Sequence, residues 1–223
     1  EYAHADCAEA GLAKQRCAAI TGVDFDACVE AAGLDALPAT DPVKNRGNIA
    51  KWLLWDDPLL GMWRSLLDQD LEPYYRCLAE RLSLHGKRNA IFRFPAQIAK
   101  VLSKKYHLRS RAVSAYKNRD VNAMEMVRRD IHELIREVAR LRRIHKQYWM
   151  DSRTPFGWEV LDIRYGGLMQ RLASLGEVLA EVIAGSRAVI EEFEVSPVHF
   201  LEEHEGILPY ATYRTIATPS VVF

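Results

Sequence analysis

The sequence has no Cys-x-x-Cys pair, no apolar run of about 18 residues and no basic, apolar leader at its start. Its four cysteines, Cys7, Cys17, Cys28 and Cys77, form no dense framework. Three of them recur about every ten residues in helical sequence, so they read as free, buried thiols. Without a long apolar run nothing here spans a membrane. No secretion signal is visible, which favours a cytoplasmic location. The complete active-site patterns are missing too. There is no GxSxG elbow, no phosphate-cradling GxxxxGK[ST], no HExxH and no dinucleotide fingerprint. Internal repeats and low-complexity segments are likewise missing.

What is present is ordinary globular material. The chain has 223 residues, 49% of them hydrophobic and 27% charged, enough for one domain with a real core. Glu1 is not a methionine, and EYAHADCAEAGLAKQRCAAITG reads as helix from its first residues with no cap before it. That start is expected where chain has been removed upstream, by truncation, proteolysis or processing.

The net charge is zero, yet the charge is sorted along the chain. Lys87–Arg119 holds ten Lys/Arg and no acid; residues 1–42 hold eight acids against two bases; Glu177–Glu205 holds eight acids against one base. Either these segments neutralise one another across the fold or an interface, or the basic run meets an anionic partner.

Helix signals dominate. One helix covers residues 1–20 and stops at Thr21-Gly22; Asp24 caps a second, DFDACVEAAGL, which stops at Gly33. PATDPVKNRG, residues 38–47, is a linker of turn residues and the best domain boundary. Lys51–Trp63 is apolar and aromatic around Asp56-Asp57-Pro58, a short helix with a docking turn. A helix from about Asp70 to His85 should stop at Gly86, and the next should run from Pro95 to Lys117.

Asp120 caps a long helix whose apolar residues recur at spacings of three and four: Val121, Met124, Val127, Ile131, Leu134, Val138, Leu141, His145, Tyr148. That seam covers about 28 residues, roughly 42 Å of helix. After Pro155 a matching seam follows: Leu161, Tyr165, Leu168, Leu172, Leu175, Leu179, Val182. Two matched seams joined by a short Pro/Gly loop predict an antiparallel helical hairpin in an all-α bundle of three or more helices. GILPYATYRTIATPSVVF, residues 206–223, is β-branched and aromatic with two prolines, and should run extended over the bundle or a neighbouring domain.

Few residues look chemical. His199 and His204 with Glu202, Glu203 and Glu205 form the one dense His/Glu cluster, but a spacing of five separates the imidazoles around a helix. His145 sits in a seam and reads as a buried, hydrogen-bonded histidine. Trp52, Trp55, Trp63 and the Asp56-Asp57 pair could make a sugar platform; the apolar residues around them favour anchoring of the linker instead. Adjacent Asp56 and Asp57 point apart and cannot supply the spaced carboxylates of glycoside hydrolysis. Asp162 and Arg164 flank the second seam and suit dipole partners or ion pairs between elements. Gly166-Gly167 would cost a helix interior roughly 1 kcal/mol each relative to alanine. Close approach of another element would offset that. The candidate interface or pocket-wall residues are therefore Trp55, Asp56, Asp57, Trp158, Asp162, Arg164, Gly166 and Gly167.

Two stretches, KWLLWDDPLLGMW at Lys51–Trp63 and PFGWEVLDIRYGGLMQRL at Pro155–Leu172, resemble the C-terminal helical region found behind the catalytic barrel of some glycoside hydrolase family 20 enzymes. These are exo-acting β-N-acetylhexosaminidases and related glucosaminidases. The resemblance implies that residues 1–42 are the end of the preceding barrel plus a linker, residues 43–205 an α-helical C-terminal domain, and residues 206–223 a tail. Such enzymes let the sugar's 2-acetamido carbonyl attack its own anomeric carbon, while an adjacent Asp-Glu pair orients the acetamide and protonates the leaving oxygen. This chain has no Asp-Glu dipeptide. On the resemblance, the pair lies upstream and no catalytic residue falls here. The implied partners are the barrel, a carbohydrate through it, and a second copy in a homodimer. No cofactor, metal, nucleic acid or membrane is implied. The competing readings are a stand-alone helical interaction module using the Pro95–Lys117 face, and a nucleic-acid binder using the basic run. The basic run has few aromatics for stacking, and the chain is neutral overall, which counts against the binder.

Overall fold

The computed structural model describes residues 7–35, 49–61 and 70–194, and among these every regular element is helical. The expected tail, the His199/His204 cluster and Trp63 lie outside the described residues.

Two helices open the chain. Helix α1 (Cys7–Thr21) ends where Gly22 adopts φ 67°. From residue 11 onward all its side chains are exposed apart from half-buried Cys17. Helix α2 (Phe25–Ala32) starts at Asp24, whose carboxylate accepts from the amides of Asp26 and Ala27 at 2.8 and 3.3 Å, and it ends at Gly33 as expected. It is tied down by helix α4 (Glu72–Arg88). Tyr74 Oη donates to the Gly33 carbonyl, Tyr75 Oη donates to Leu34 O at 3.2 Å, and His85 Nε2 meets Glu30 at 3.0 Å. Between them, α3 (Ile49–Trp55) buries every residue except Lys51.

Gly86 does not stop α4. The helix runs on to Arg88 and is capped at Asn89. Gly86 is buried inside it because Arg93 folds over that turn: a Cβ there would lie 3.3 Å from Arg93 Cγ. The glycine makes room for a neighbour instead of ending the helix.

The single helix expected from Pro95 to Lys117 is two. A 3-10 turn at Ala90–Phe92 leads into α5 (Arg93–Lys105), and α6 (Leu108–Lys117) follows a break at Tyr106-His107. A straight helix would set Tyr106 and Leu108 about 200° apart. Both are buried, at 5% and 1% exposure, and the break is what lets both face inward.

The hairpin is as the seams predict. Helix α7 (Val121–Ser152) is capped by Asp120, which accepts from Ala123 N at 2.9 Å, and α8 (Trp158–Ile183) returns antiparallel to it. Met124, Val127, Ile131, Leu134, Val138 and Leu141 meet Tyr165, Leu168, Leu172, Leu175 and Leu179, all nearly water-free. Helix α5 is central, packed on α3, α4 and α7, with Ala96 and Ala99 at its crossings and Gln97 Nε2 donating to Glu137 O at 3.1 Å. A last turn, α9 (Glu191–Glu194), seats Phe193 against Tyr116.

Two expectations about side chains are corrected. Cys28 and Cys77 are exposed and Cys17 is half-buried, because α1 and the outer faces of α2 and α4 have no neighbour there among the described residues. Among the described residues, the Lys/Arg ion pairs of the basic run are made with α7 and not with the acid-rich ends. Lys100, Lys104 and Arg111 pair with Glu137, Glu133 and Asp130 of α7, the helix on which α5 and α6 pack.

Candidate functional site

The turn after α3, WDDPLLG, is where the chain concentrates its buried charge. Asp57, 1% exposed, uses Oδ1 to accept from Leu59 N and Leu60 N at 2.8 and 3.0 Å, so it builds its own turn. The same carboxylate receives a two-point contact from Arg171 of α8, 114 residues later, at 2.6 and 3.2 Å. Lys105 of α5 donates to Leu53 O and Asp56 O at 2.8 and 2.5 Å, satisfying carbonyls left open at the end of α3. Arg109 of α6 donates to Leu59 O at 2.8 Å and, through its other arm, to Glu192 O at 3.1 Å. Gly61 closes the turn at φ 64°, with its missing Cβ only 2.1 Å from Arg109 Cδ. Three cations from three helices therefore clamp one turn.

A cavity of about 20 Å³ lies among Leu53, Asp57, Lys105 and Arg109. It has room for one water and none for a sugar ring. Trp52 and Trp55 are 5% exposed, and Trp55 packs edge-on against Tyr165 at 5.0 Å. They anchor the turn and leave no open face for a pyranose.

Burial pushes the Lys105 ammonium down to about 8, against a partial pull upward from Asp56 and Asp57. Its folded pKa thus lies below its unfolded value of about 10.4. Between those values the unfolded chain binds the extra proton, so stability rises with pH through that window. We expect a gain on the order of 2–3 kcal/mol from about pH 8 to 10, read as a rising urea midpoint. Lys105→Met should flatten that rise, and a flat wild-type profile would contradict the assignment.

At the hairpin's closed end, His145 sits in a ring of aromatics: Phe94 at 4.2 Å, Trp158 at 5.4 Å and Tyr165 at 5.9 Å between centroids. Its Nδ1 is 3.0 Å from Tyr165 Oη. Burial, with Arg153 nearby, lowers its pKa to about 4, so the imidazole is neutral at physiological pH. His145 is half-buried rather than buried, and it is hydrogen-bonded as expected.

The remaining candidates fall into two groups. Trp55, Asp56, Asp57 and Trp158 are all under 7% exposed, covered by this chain's own helices. On α8, Asp162, Arg164 and Gly167 are half-buried and Gly166 is exposed. Asp162 pairs with Arg142 of α7 at 2.7 Å, not with Arg164. Arg164 Nε is buried without a hydrogen-bond partner, as is Trp158 Nε1. Gly166 is exposed, and a Cβ there would meet nothing within 4 Å, so no described element approaches it closely.

Sequence reading missed Lys105, Arg109 and Arg171. Lys105 follows Ala99 and Leu102 at spacings of three, which places a lysine on the buried face of α5. Arg171 lies inside the quoted α8 stretch. Nothing in the sequence tied it to Asp57.

An open groove of about 730 Å³ runs between α4 and α5–α7. Its lining includes Arg76, Ser83, Lys104 and Glu133, but no Trp, Tyr or Phe on which a sugar could stack. Among the described residues no group of His, Cys, Asp and Glu could hold a metal ion, and no helix is long and apolar enough to cross a membrane.

These features define a helical packing domain whose buried charges serve its own joints. The model of the Glycoside Hydrolase 20C C-terminal domain matches residues 26–208. The chain belongs to that family, and is associated with glycoside hydrolase family 20 through it. A search of curated proteins finds no match.

Proposed function

We propose that this chain is the C-terminal structural portion of a glycosidase that releases terminal β-linked N-acetylhexosamine, or glucosamine, by substrate-assisted retaining hydrolysis. The catalytic Asp-Glu pair belongs to a barrel outside this chain, and the chain alone is inactive. The family match over residues 26–208 carries this reading. Two observations support it. The buried carboxylate of Asp57 is spent on its turn and on Arg171, so it is not free to act on a sugar. Helix α1 lies before the matched region and exposes Leu12 at 45% and Ile20 at 83%, as a helix of a neighbouring domain would when seen by itself.

The test is the intact mass of the native gene product from the source cells. We expect a polypeptide tens of kilodaltons heavier than this chain's 25.4 kDa, with barrel sequence before Glu1. A native product of about this mass and no barrel partner would sink the reading. A stand-alone helical interaction module would then remain.

A further inference from the structure

Helices α1 and α2 fold back on each other across a short connection, residues 22–24. Lys14 of α1 reaches Asp26 of α2 at 2.7 Å, and inside the connection Thr21 Oγ1 accepts from Val23 N at 3.1 Å. Residues 14, 17 and 21 share one face of α1, spaced by three and four. That face therefore looks toward α2, and Cys17 is its half-buried member. The Cys17 thiol leans toward the connection, with Sγ 3.8 Å from Thr21 Oγ1.

On α2, Cys28 stands about one turn past the helix start. Cys17 stands about one turn before the end of α1, so the two cysteines sit level across the pair. Contacting helix axes lie about 8–10 Å apart and each Cα about 2.3 Å off its axis, so facing Cα atoms come to roughly 4–6 Å. That is the span of a disulfide. The electrostatics agree with this closeness: partial burial pushes the Cys28 thiol up, and the neighbouring Cys17 and Asp24 push it further. Cys7 lies about 15 Å along α1 from Cys17, and Cys77 belongs to α4.

We infer that Cys17 and Cys28 are a dithiol that closes into a reversible disulfide, clasping α1 to α2. Among the described residues neither belongs to a group that could hold a metal ion, so thiol exchange is the chemistry the pair offers. The oxidant is a small disulfide such as oxidised glutathione. One cysteine thiolate attacks it, forming a protein–glutathione S–S bond and releasing one glutathione thiolate. The second cysteine thiolate then attacks the bonded protein sulfur and expels the other glutathione. Two cysteines are oxidised, one disulfide is reduced to two thiols, and the cysteine protons end on the glutathione sulfurs. The clasp adds a covalent tie beside the Lys14–Asp26 pair, whose side chains are 48% and 68% exposed and so hold little by themselves. This inference does not depend on the glycosidase reading.

Treating the 223-residue chain with oxidised glutathione tests it. No Lys or Arg lies between Cys17 and Lys44, so trypsin releases both cysteines in one peptide, Cys17–Lys44. Once free thiols are blocked, that peptide is expected about 2 Da lighter than its dithiol form, with no blocking group and no glutathione attached. Dithiothreitol should reverse the loss. Cys17→Ser should strand the exchange at a Cys28–glutathione adduct, and Cys77→Ser should leave the bridge unchanged. Glutathione on both cysteines without that mass loss overturns the inference. So does a bridge from either cysteine to Cys7 or Cys77, or a peptide whose two thiols are both still blocked.

Discussion

Arg171→Met is expected to lower the free energy of unfolding by about 3–5 kcal/mol, measured by urea denaturation. Asp57 is 1% exposed, and Arg171 supplies both of its charge-assisted contacts at 2.6 and 3.2 Å. Removing the guanidinium leaves a buried carboxylate without its direct cation, held by the Leu59 and Leu60 amides, with Lys105 and Arg109 acting on it only at longer range. The loss should therefore far exceed that of breaking a surface pair. Arg142→Met provides the comparison. Its pair with Asp162 is about one-third exposed on each side, and such pairs contribute about 0–1 kcal/mol. A second comparison isolates the charge. Adding Asp57→Asn to Arg171→Met should recover part of the loss, because a neutral amide keeps an acceptor for the turn without needing a cation. If Arg171→Met cost no more than Arg142→Met, the clamp would be decoration rather than a joint.

Gly61→Val is expected to cost about 3 kcal/mol or more. Gly61 holds φ 64°, a conformation that a β-branched residue avoids. The new side chain would also enter the space of Arg109, whose Cδ lies 2.1 Å from the Cβ position. Arg109 cannot simply swing aside. Its guanidinium joins Leu59 O to Glu192 O and lies over Phe193 at 5.5 Å, so displacing it loosens α9 as well as the turn. Thermal unfolding of Gly61→Val beside Gly61→Ala separates the causes. Alanine carries the backbone strain and the first clash, and valine adds bulk. Equal, small losses for both would mean that Arg109 relocates freely.

The long hairpin was legible because α7 and α8 repeat apolar residues every three and four positions, and Asp120 and Gly157 mark their starts. The helices before it were harder. No proline or glycine marks the break between α5 and α6. It arises because Tyr106 and Leu108 both seek the core, a demand that only the packed neighbours impose. Gly86 misled for the converse reason, since it looks like a stop and is a gap left for Arg93. The cysteines misled because their burial depends on what covers α1, α2 and α4, which local spacing does not reveal. Asp56-Asp57 was visible as unusual, but its partners come from α5, α6 and α8. The 114 residues between Asp57 and Arg171 carry no local signal linking them. The sequence showed the acid-free run at Lys87–Arg119, but not that Lys100, Lys104 and Arg111 would find their acids on α7.

The buried carboxylate and cations at the WDDPLLG turn hold helices together, and the proposed function puts catalysis in chain outside these residues. The most direct test is hydrolysis of a chromogenic β-N-acetylglucosaminide by this chain alone and by the longer native polypeptide, assayed side by side. The account predicts no turnover above buffer for the chain alone and clear turnover for the longer polypeptide. Turnover by the chain alone, lost on substitution of a carboxylate within it, would contradict the account.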